Sequence, residues 1–349
     1  MNGKSKHLIL TIGAAIAAAS MAILSTSCNA LYEDLPECDP STATLRFVYD
    51  YNMERANAFH KQVDCLTLYI FDEEGNYVAT RTERSVEQLG DEDYRMVIDL
   101  PEGNYHAVAY GGMECDKGSF RHPASSDVTR GLSDLRVELH PDCLTDDTRR
   151  ALHNHYHGSV DFAISANENT GATVEMMRNT NSVQVALQHV HGSPIDVNDF
   201  DFSIIDDNTL FDADNKLIPA GEIAYLPYEQ LNFTTGTAEG RADDPAITEV
   251  SAAVARFHTS RLYKQKPTSP TLLVTRHSDG STVLRLPIIN YMLMFKENHD
   301  ATSPMSDQEY LDRENSWRFV FFLNDSDNSW ISTKIVVNDW HVVINNSEF

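Results

Sequence analysis

Short runs in which apolar and polar residues alternate, separated by turn signals, recur along most of this 349-residue chain. Leu45, Phe47 and Tyr49, for example, fall on one side of an extended segment, as expected for a strand with one buried face. Residues 63–71 are almost continuously apolar, which predicts a central strand buried on both faces. Many short strands joined by turns are typical of β-sandwiches. The sequence therefore predicts an all-β fold.

The strand candidates fall into two sets, which we assign to two consecutive β-sandwich domains at residues 44–168 and 169–349. Residues 234–248 are polar and rich in Gly, Ala and Asp, which predicts a long exposed loop. Ser306 lies three residues before Glu309, a spacing that predicts the start of a helix by a capping box. Helical patterns are limited to residues 52–62, 82–89 and 306–314.

The amino terminus has the layout of a lipoprotein signal peptide, predicted at residues 1–27. Two lysines and no acid precede an apolar run that is shorter than the roughly 20 strongly apolar residues of a stable membrane span. Small residues then lead to Cys28, so we expect cleavage before Cys28 and acyl chains on that residue. The other interpretation is a plain secretory signal in which this cysteine has no role. Residues 28–43, which contain two prolines and several acids, are predicted to form a lipidated tether.

Acidic residues dominate the charge of the chain, with 52 Asp and Glu against 27 Lys and Arg and a formal net charge of −25. The acids are spread along the sequence, which is typical of a solvated exterior. Such a surface repels nucleic acid and anionic lipid headgroups, so neither is expected as a partner.

Beyond Cys28 the chain has four cysteines, Cys38, Cys65, Cys115 and Cys143. An exported protein meets an oxidising compartment, so we expect at least one disulfide in the first domain. Four cysteines allow three pairings, and the sequence leaves all of them open. None has the CxxC spacing of a zinc or redox site.

Three histidines are the candidate metal ligands. His153, His155 and His157 stand at alternate positions, so a strand would present all three on one face. Imidazoles so arranged can bind zinc or nickel, with Asp161 as a fourth ligand. The other interpretation, which we favour, is a polar segment whose histidines only form hydrogen bonds, because no motif of a catalytic metal accompanies them.

Other chemistry is also weakly supported. The acidic segments 206–208 and 212–215 lack the spacing of a calcium loop and are predicted to be hairpin turns. Motifs of nucleophilic, metalloprotease and nucleotide-binding enzymes are missing from the sequence, so we predict a protein that is not an enzyme and has no cofactor. Aromatic residues in 316–323 could line a sugar groove, but their alternation favours a core strand. Trp330 and Trp340 are likewise predicted to be core or sheet-corner residues.

Several segments in a fixed order carry a family resemblance: residues 28–38, 45–53, 63–72, 100–105, 109–112, 178–181, 308–313 and 337–340. Together they resemble the FimB-type fimbrial anchor lipoproteins of Bacteroidetes, and the likeness covers nearly the whole chain after the leader. The resemblance implies two transthyretin-like sandwiches at the base of a type V pilus. It also implies two kinds of partner, outer-membrane lipid bound through the acyl chains of Cys28 and the stalk subunits of the fimbria.

The expected function is therefore a non-catalytic anchor on the cell outer membrane. The pair Glu33-Asp34 resembles an acidic signal that sends such lipoproteins to the exterior, although a polar spacer would look the same. The final strand, predicted at residues 335–344, either meets a stalk subunit through its edge or only completes its own sheet. The alternatives are a surface glycan- or host-binding lipoprotein that does not polymerise and, third, a lipid-anchored hydrolase that uses the three histidines.

Overall fold

The computed structural model describes residues 42–113, 115–145, 149–165, 168–236, 249–294, 296, 304–338 and 340–343. Strands predominate in this part of the chain, which confirms the predicted all-β fold. Cys28, Cys38 and the predicted leader lie outside the described residues, as does most of the predicted loop 234–248. Within the described ranges, no helix is long and apolar enough to cross a bilayer.

The described secondary structure consists of short strands with a few short helices. In the first half the strands are β1 (Thr42–Val48), β2 (Leu66–Asp72), β3 (Tyr77–Glu83), β4 (Arg95–Asp99), β5 (Gly103–Gly111), β6 (Phe120–Arg121), β7 (Arg136–Leu139), β8 (Tyr156–Ile164) and β9 (Thr170–Arg178). In the second half they are β10 (Thr180–His189), β11 (Phe200–Asp206), β12 (Leu210–Asp212), β13 (Leu217–Ile218), β14 (Ile223–Tyr225), β15 (Glu229–Gly236), β16 (Glu249–Ser260), β17 (Thr271–Arg276), β18 (Thr282–Pro287), β19 (Ser316–Leu323), β20 (Trp330–Val337) and β21 (Trp340–Val343). The α-helices are α1 (Phe59–Gln62), α2 (Val86–Leu89), α3 (Ile288–Leu293) and α4 (Asp307–Arg313).

The first sandwich is one seven-stranded sheet folded over on itself, in the order β3-β2-β5-β8-β9-β1-β4. Strands β8 and β9 pair only where Tyr156–Ser159 lies opposite Glu175–Arg178, and they separate beyond that point. Layer β9-β1-β4 can therefore face layer β3-β2-β5-β8 across a core. Buried residues of that core come from both layers and include Leu45, Leu68, Ala107, Ile164 and Val174.

Gly158 lies at the corner where β8 meets β9. A Cβ atom on this residue would come 2.6 Å from the carbonyl oxygen of Glu175 and 2.7 Å from Sδ of Met176. Glycine is therefore needed because the two backbones approach too closely for a side chain.

The second sandwich packs a six-stranded sheet, β15-β16-β10-β19-β20-β21, against a four-stranded sheet, β14-β11-β17-β18. The predicted core strand at 316–323 is confirmed, because β19 lies between β10 and β20 and buries Trp317, Phe319 and Phe321. Phe321 also meets the ring of Trp330 edge-on at 5.8 Å, which makes Trp330 a packing residue rather than part of a sugar groove.

A further four-stranded sheet, which we call the shared sheet, has the order β13-β12-β7-β6 and takes strands from both halves of the chain. Its residues Val137 and Phe211 pack in one buried cluster with Tyr69 and Val108, which point outward from the first sandwich. The same cluster continues into the second sandwich. Strand β2 is consequently buried on both faces, which confirms the central strand predicted at residues 63–71.

The predicted boundary at residue 168 precedes β9, which still belongs to the first sandwich. The chain passes to the second sandwich at Asn179, the single residue between β9 and β10. The shared sheet then joins the two sandwiches a second time.

Two element predictions are wrong in detail. The apolar pattern of residues 283–289 predicts a strand, but β18 ends at Pro287, where the chain turns into α3 and buries Ile288, Ile289 and Met292. The final strand predicted at residues 335–344 is instead the hairpin of β20 and β21, in which Asn338 adopts a φ of 45°. Asn tolerates this left-handed conformation better than most residues, and that allows the tight turn.

Replacing Leu45 by Ala tests the packing of β1. Leu45 is fully buried in the first core, so we expect the free energy of unfolding to fall by about 2–5 kcal/mol. Urea denaturation monitored by circular dichroism measures this change. The matched control is Arg46→Ala, an exposed neighbour on the same strand, for which a change within about 0.5 kcal/mol is expected. Equal losses in the two variants would contradict the placement of this strand.

Candidate functional site

The first described strand, β1, is the place where a tethered protein would take up force. It includes Thr42 and Ala43, the last two residues of the predicted tether, and lies between β9, to which it runs parallel, and β4, to which it runs antiparallel. A pull on the amino terminus therefore acts along the strand and against two hydrogen-bonded ladders at once. Many bonds must then break together, which resists extraction better than peeling an edge strand.

The second half of the chain holds the segment that follows β1. The guanidinium of Arg313, at the end of α4, donates to the carbonyl oxygens of Asp50 and Asn52, each at 3.3 Å. It also lies 4.1 Å from the ring centroid of Tyr51, a cation–π contact, while Glu309 pairs with its Nε at 2.8 Å. The predicted helix start at Ser306 is confirmed, since Ser306 Oγ accepts from the backbone N–H of Glu309 at 3.1 Å. Force on β1 is thus shared with the second sandwich.

The chain crosses between the two sandwiches at Asn179, in a polar cluster that also includes Arg178 and Asn215 and that we call the joint. Asn179 and Asn215 exchange side-chain amide hydrogen bonds of 2.7 and 2.9 Å, and Asn215 lies in the β12–β13 hairpin of the shared sheet. Arg178 donates to Asn154 at 2.7 Å and to Asn315 at 3.2 Å. Buried amides are costly unless they are paired, so these contacts fix one arrangement of the two sandwiches.

The sequence contained a partial signal for this joint. Residues 178–181 belong to the segments that carry the family resemblance, and Asn215 belongs to a predicted turn. The signal is the run of three polar residues at 179–181 between two apolar strands. No Gly or Pro is present to form an exposed turn there, so these polar groups need buried hydrogen-bond partners. The partner positions could not be inferred from spacing.

The three candidate metal ligands face different partners. His153 Nε2 lies 2.9 Å from Asp64 Oδ2, whereas His157 Nε2 donates to the carbonyl oxygen of Ala213 at 2.9 Å. His155 stacks on Phe120 with a centroid distance of 4.2 Å and accepts from Asn179 at 3.3 Å. Only His157 lies in β8, so the predicted single face does not form. Asp161, the proposed fourth ligand, pairs with His106 instead. The histidines pack and hydrogen-bond within and around the joint.

The disulfide joins Cys65 to Cys115, whose Cα atoms are 5.9 Å apart. It ties the segment before β2 to the loop after β5. Cys143 is a buried free thiol. Asp64 forms with the two half-cystines the one cluster in the described ranges whose potential ligand atoms are close enough for a metal, but both sulfurs are already bonded to each other. Such a cluster offers no thiolate to a metal ion.

The acidic segment 212–215 is a hairpin turn, as predicted. Asp212 Oδ1 accepts from the backbone N–H groups of Asp214 and Lys216, and the flanking strands β12 and β13 pair antiparallel. In the segment 206–208, Asp206 forms a buried ion pair with Lys266, which the sequence did not predict.

Acidification should destabilise the protein through the buried histidines. Burial lowers the pKa of His155 to about 3 and that of His157 to about 4, so both are neutral when the chain is folded at neutral pH. In the unfolded chain both return to a pKa of about 6.5 and take up protons below that pH. Stability is therefore expected to fall as the pH falls from about 6.5 to about 4, by roughly 1.4 kcal/mol per pH unit for each histidine.

The variant His155→Phe isolates one of these groups. It keeps a ring on Phe120 and removes one titrating site, so its free energy of unfolding should depend less steeply on pH between 6 and 4. The control is Val86→Ala, because Val86 is exposed and carries no titrating group, so its replacement should leave the slope unchanged. Urea titrations at several pH values measure the slopes, and identical slopes for wild type and His155→Phe would refute the assignment.

Comparison with known proteins adds a family. Residues 35–346 match a family model for the fimbrillin-A associated anchor proteins Mfa1 and Mfa2. None of the curated proteins compared with the chain is similar to it. The match spans β1, the joint and all four sheets of the body.

Solved structures share the fold over most of the chain. A candidate adhesin from Bacteroides thetaiotaomicron is 45% identical, with a TM-score of 0.79 and coverage of 89% of this chain and 100% of that one. A candidate polysaccharide-binding protein from the same bacterium is 28% identical, with a TM-score of 0.72 and coverage of 88% and 100%. The fimbrial anchor protein Mfa2 from Porphyromonas gingivalis is 15% identical, with a TM-score of 0.61 and coverage of 87% and 99%, and so shows a likeness of fold.

Proposed function

Because the chain belongs to the family of fimbrillin-A associated anchor proteins Mfa1 and Mfa2, we propose that it anchors a fimbria to the outer membrane. In this proposal Cys28 carries the acyl chains, residues 28–43 span the distance to the body, and the body binds a stalk subunit on the cell exterior. The family consists of fimbrial structural proteins rather than enzymes. The contact with the stalk is a subunit–subunit contact without chemistry.

The observation that carries the proposal is the family match over residues 35–346, which includes the strand that follows the tether. The geometry of that strand supports it. A protein that holds a polymer must resist force at its attachment point, and β1 is secured by two ladders and by Arg313 of the other sandwich.

The contact with the stalk requires an open sheet edge or a surface. Among the described strands, β21 pairs with β20 alone and is an edge of the six-stranded sheet. An extended segment of a stalk subunit could add to it by backbone hydrogen bonds, with alternate side chains filling pockets. If β21 only completes its own sheet, the stalk binds elsewhere.

Removal of the acyl site tests the anchor. We expect Cys28→Ala, exported behind a leader cleaved by ordinary signal peptidase, to move from the membrane fraction to the medium and to carry fimbriae with it. The reason is that each buried methylene contributes about 0.8 kcal/mol, so two or more acyl chains hold a protein on a bilayer almost permanently. Fractionation, detergent phase partition and mass spectrometry of the amino-terminal peptide measure the outcome.

The matched control is Cys38→Ala behind the native leader, which keeps Cys28 and should stay in the membrane fraction. A wild-type chain with an unacylated amino terminus would overturn the lipid attachment. Retention of fimbriae on cells that release the Cys28→Ala protein would overturn the anchor role while leaving the lipid attachment intact.

A second candidate function is glycan or host binding, which the 45% identity to a candidate adhesin favours. An open groove of about 630 Å³ at one end of the first sandwich offers suitable groups for sugar hydroxyls, among them Glu73, Asn104, His106 and Asp161. A glycan array with the soluble body distinguishes the two functions. Binding that is lost in Asn104→Ala, together with failure to capture a co-expressed stalk subunit, would favour the adhesin.

A further inference from the structure

A lysine and an aspartate meet inside the second sandwich. Lys266 lies in the segment between β16 and β17, and Asp206 is the last residue of β11. Their side chains are 5% and 1% exposed, and Nζ of Lys266 contacts Oδ1 of Asp206 directly. The other Lys–Asp contact of comparable closeness, between Lys216 and Asp214, is on the surface, with side chains 72% and 60% exposed. Burial is what sets the first pair apart.

The two oxygens of Asp206 have different surroundings. Oδ1 accepts the backbone N–H of Asp207 at 2.9 Å and also faces the lysine nitrogen. Oδ2 is buried and has no hydrogen-bond partner among the described residues. An ionised carboxylate in that position leaves one oxygen unsatisfied, which is unfavourable away from water.

The lysine is also adapted to lose its charge. Burial lowers the pKa of Lys266 to about 8, so the neutral amine is accessible near neutral pH. Transfer of one proton from the ammonium to the carboxylate turns the ion pair into a neutral amine and a neutral carboxylic acid. A medium of low polarity favours the neutral pair relative to the ionic pair.

We propose that Lys266 and Asp206 are joined by an intramolecular isopeptide bond. The inference rests on the direct contact of a buried amine with a buried carboxyl group, one of whose oxygens is held by a backbone N–H while the other has no partner. It goes beyond the anchor function and does not depend on it.

The reaction is a condensation that needs no further reagent. The neutral amine nitrogen of Lys266 attacks the carboxyl carbon of Asp206, and negative charge develops on Oδ1, where the N–H of Asp207 stabilises it. A proton moves from the attacking nitrogen to the Oδ2 hydroxyl, which leaves as water. The product is an amide between Nζ and Cγ, and its carbonyl oxygen is Oδ1. The mass of the chain falls by one water.

The bond would tie β11, in the four-stranded sheet of the second sandwich, to the segment that leaves β16 in the six-stranded sheet. It closes a loop between residues 206 and 266 and limits how far those two sheets can separate. Unlike a disulfide, an amide is not broken by reducing agents. Arg261 and Asp312, a nearby buried ion pair with contacts of 2.8 Å, cannot undergo the same reaction because a guanidinium does not lose its proton.

Mass spectrometry of a tryptic digest tests the bond in the mature, folded protein after reduction of the disulfide. Asp206 falls in the peptide 179–216 and Lys266 in the peptide 265–276, in which Pro267 prevents cleavage after Lys266 whether or not that residue is modified. We expect one joined species, lighter by one water than the two peptides together. Fragmentation should place the link on Lys266 and Asp206.

Two variants and an internal control complete the experiment. Lys266→Arg and Asp206→Ala should each give the two peptides separately, whereas Lys216→Arg should still give the joined species, with its mass shifted only by the difference between lysine and arginine. If a variant fails to fold, the wild-type digest alone decides. Recovery of peptides 179–216 and 265–276 as separate species from folded wild-type protein would overturn the bond, without bearing on release of the Cys28→Ala protein from membranes.

Discussion

The arrangement of the two sandwiches begins with the buried residue Asn179, at the point where the chain crosses between them. A polar backbone and side chain at such a place must find partners, because an unpaired amide in the interior costs about 1–3 kcal/mol. The reciprocal hydrogen bonds with Asn215 meet that requirement and at the same time fix the hairpin of the shared sheet. His157 holds the same hairpin through Ala213. One set of hydrogen bonds thus positions both sandwiches and the sheet between them.

The shared sheet turns two domains into one body. Tandem domains connected by a flexible linker can move relative to one another, and force then acts on the linker alone. Here β6 and β7 precede the crossing in sequence, while β12 and β13 follow it, and all four belong to one sheet. Separating the sandwiches would break that sheet and expose its buried face, including Val137 and Phe211. Exposing this apolar surface to water would cost free energy in proportion to its area, which opposes separation of the two sandwiches.

The sequence predicted those parts of the fold that have a local signal. Strands β2 and β19 are long and apolar, and their position at the centre of a sheet follows from that pattern. The shared sheet was missed because three of its strands, β6, β12 and β13, have only two or three residues, too few for a period to be visible, and its pairing joins residues far apart in sequence. The alternative with three histidines on one face requires a strand from His153 onward, whereas β8 begins at Tyr156. Contacts such as Asn179 with Asn215 or Lys266 with Asp206 leave no trace in spacing.

Hydrogen bonds and apolar contacts that are broken by force can re-form only if the chain stays close to its folded conformation. Covalent bonds complement these contacts because they keep the chain close to that conformation. In the first sandwich the disulfide between Cys65 and Cys115 provides that restraint beside β2. The second sandwich has no cysteine in its sequence, and a disulfide there is excluded. Its buried Lys266 and Asp206 restrain the second sandwich instead, between its two sheets rather than between neighbouring strands, with groups that condense without an oxidant. A body that carries load through both sandwiches gains from a restraint in each of them, because the less restrained sandwich would otherwise open first.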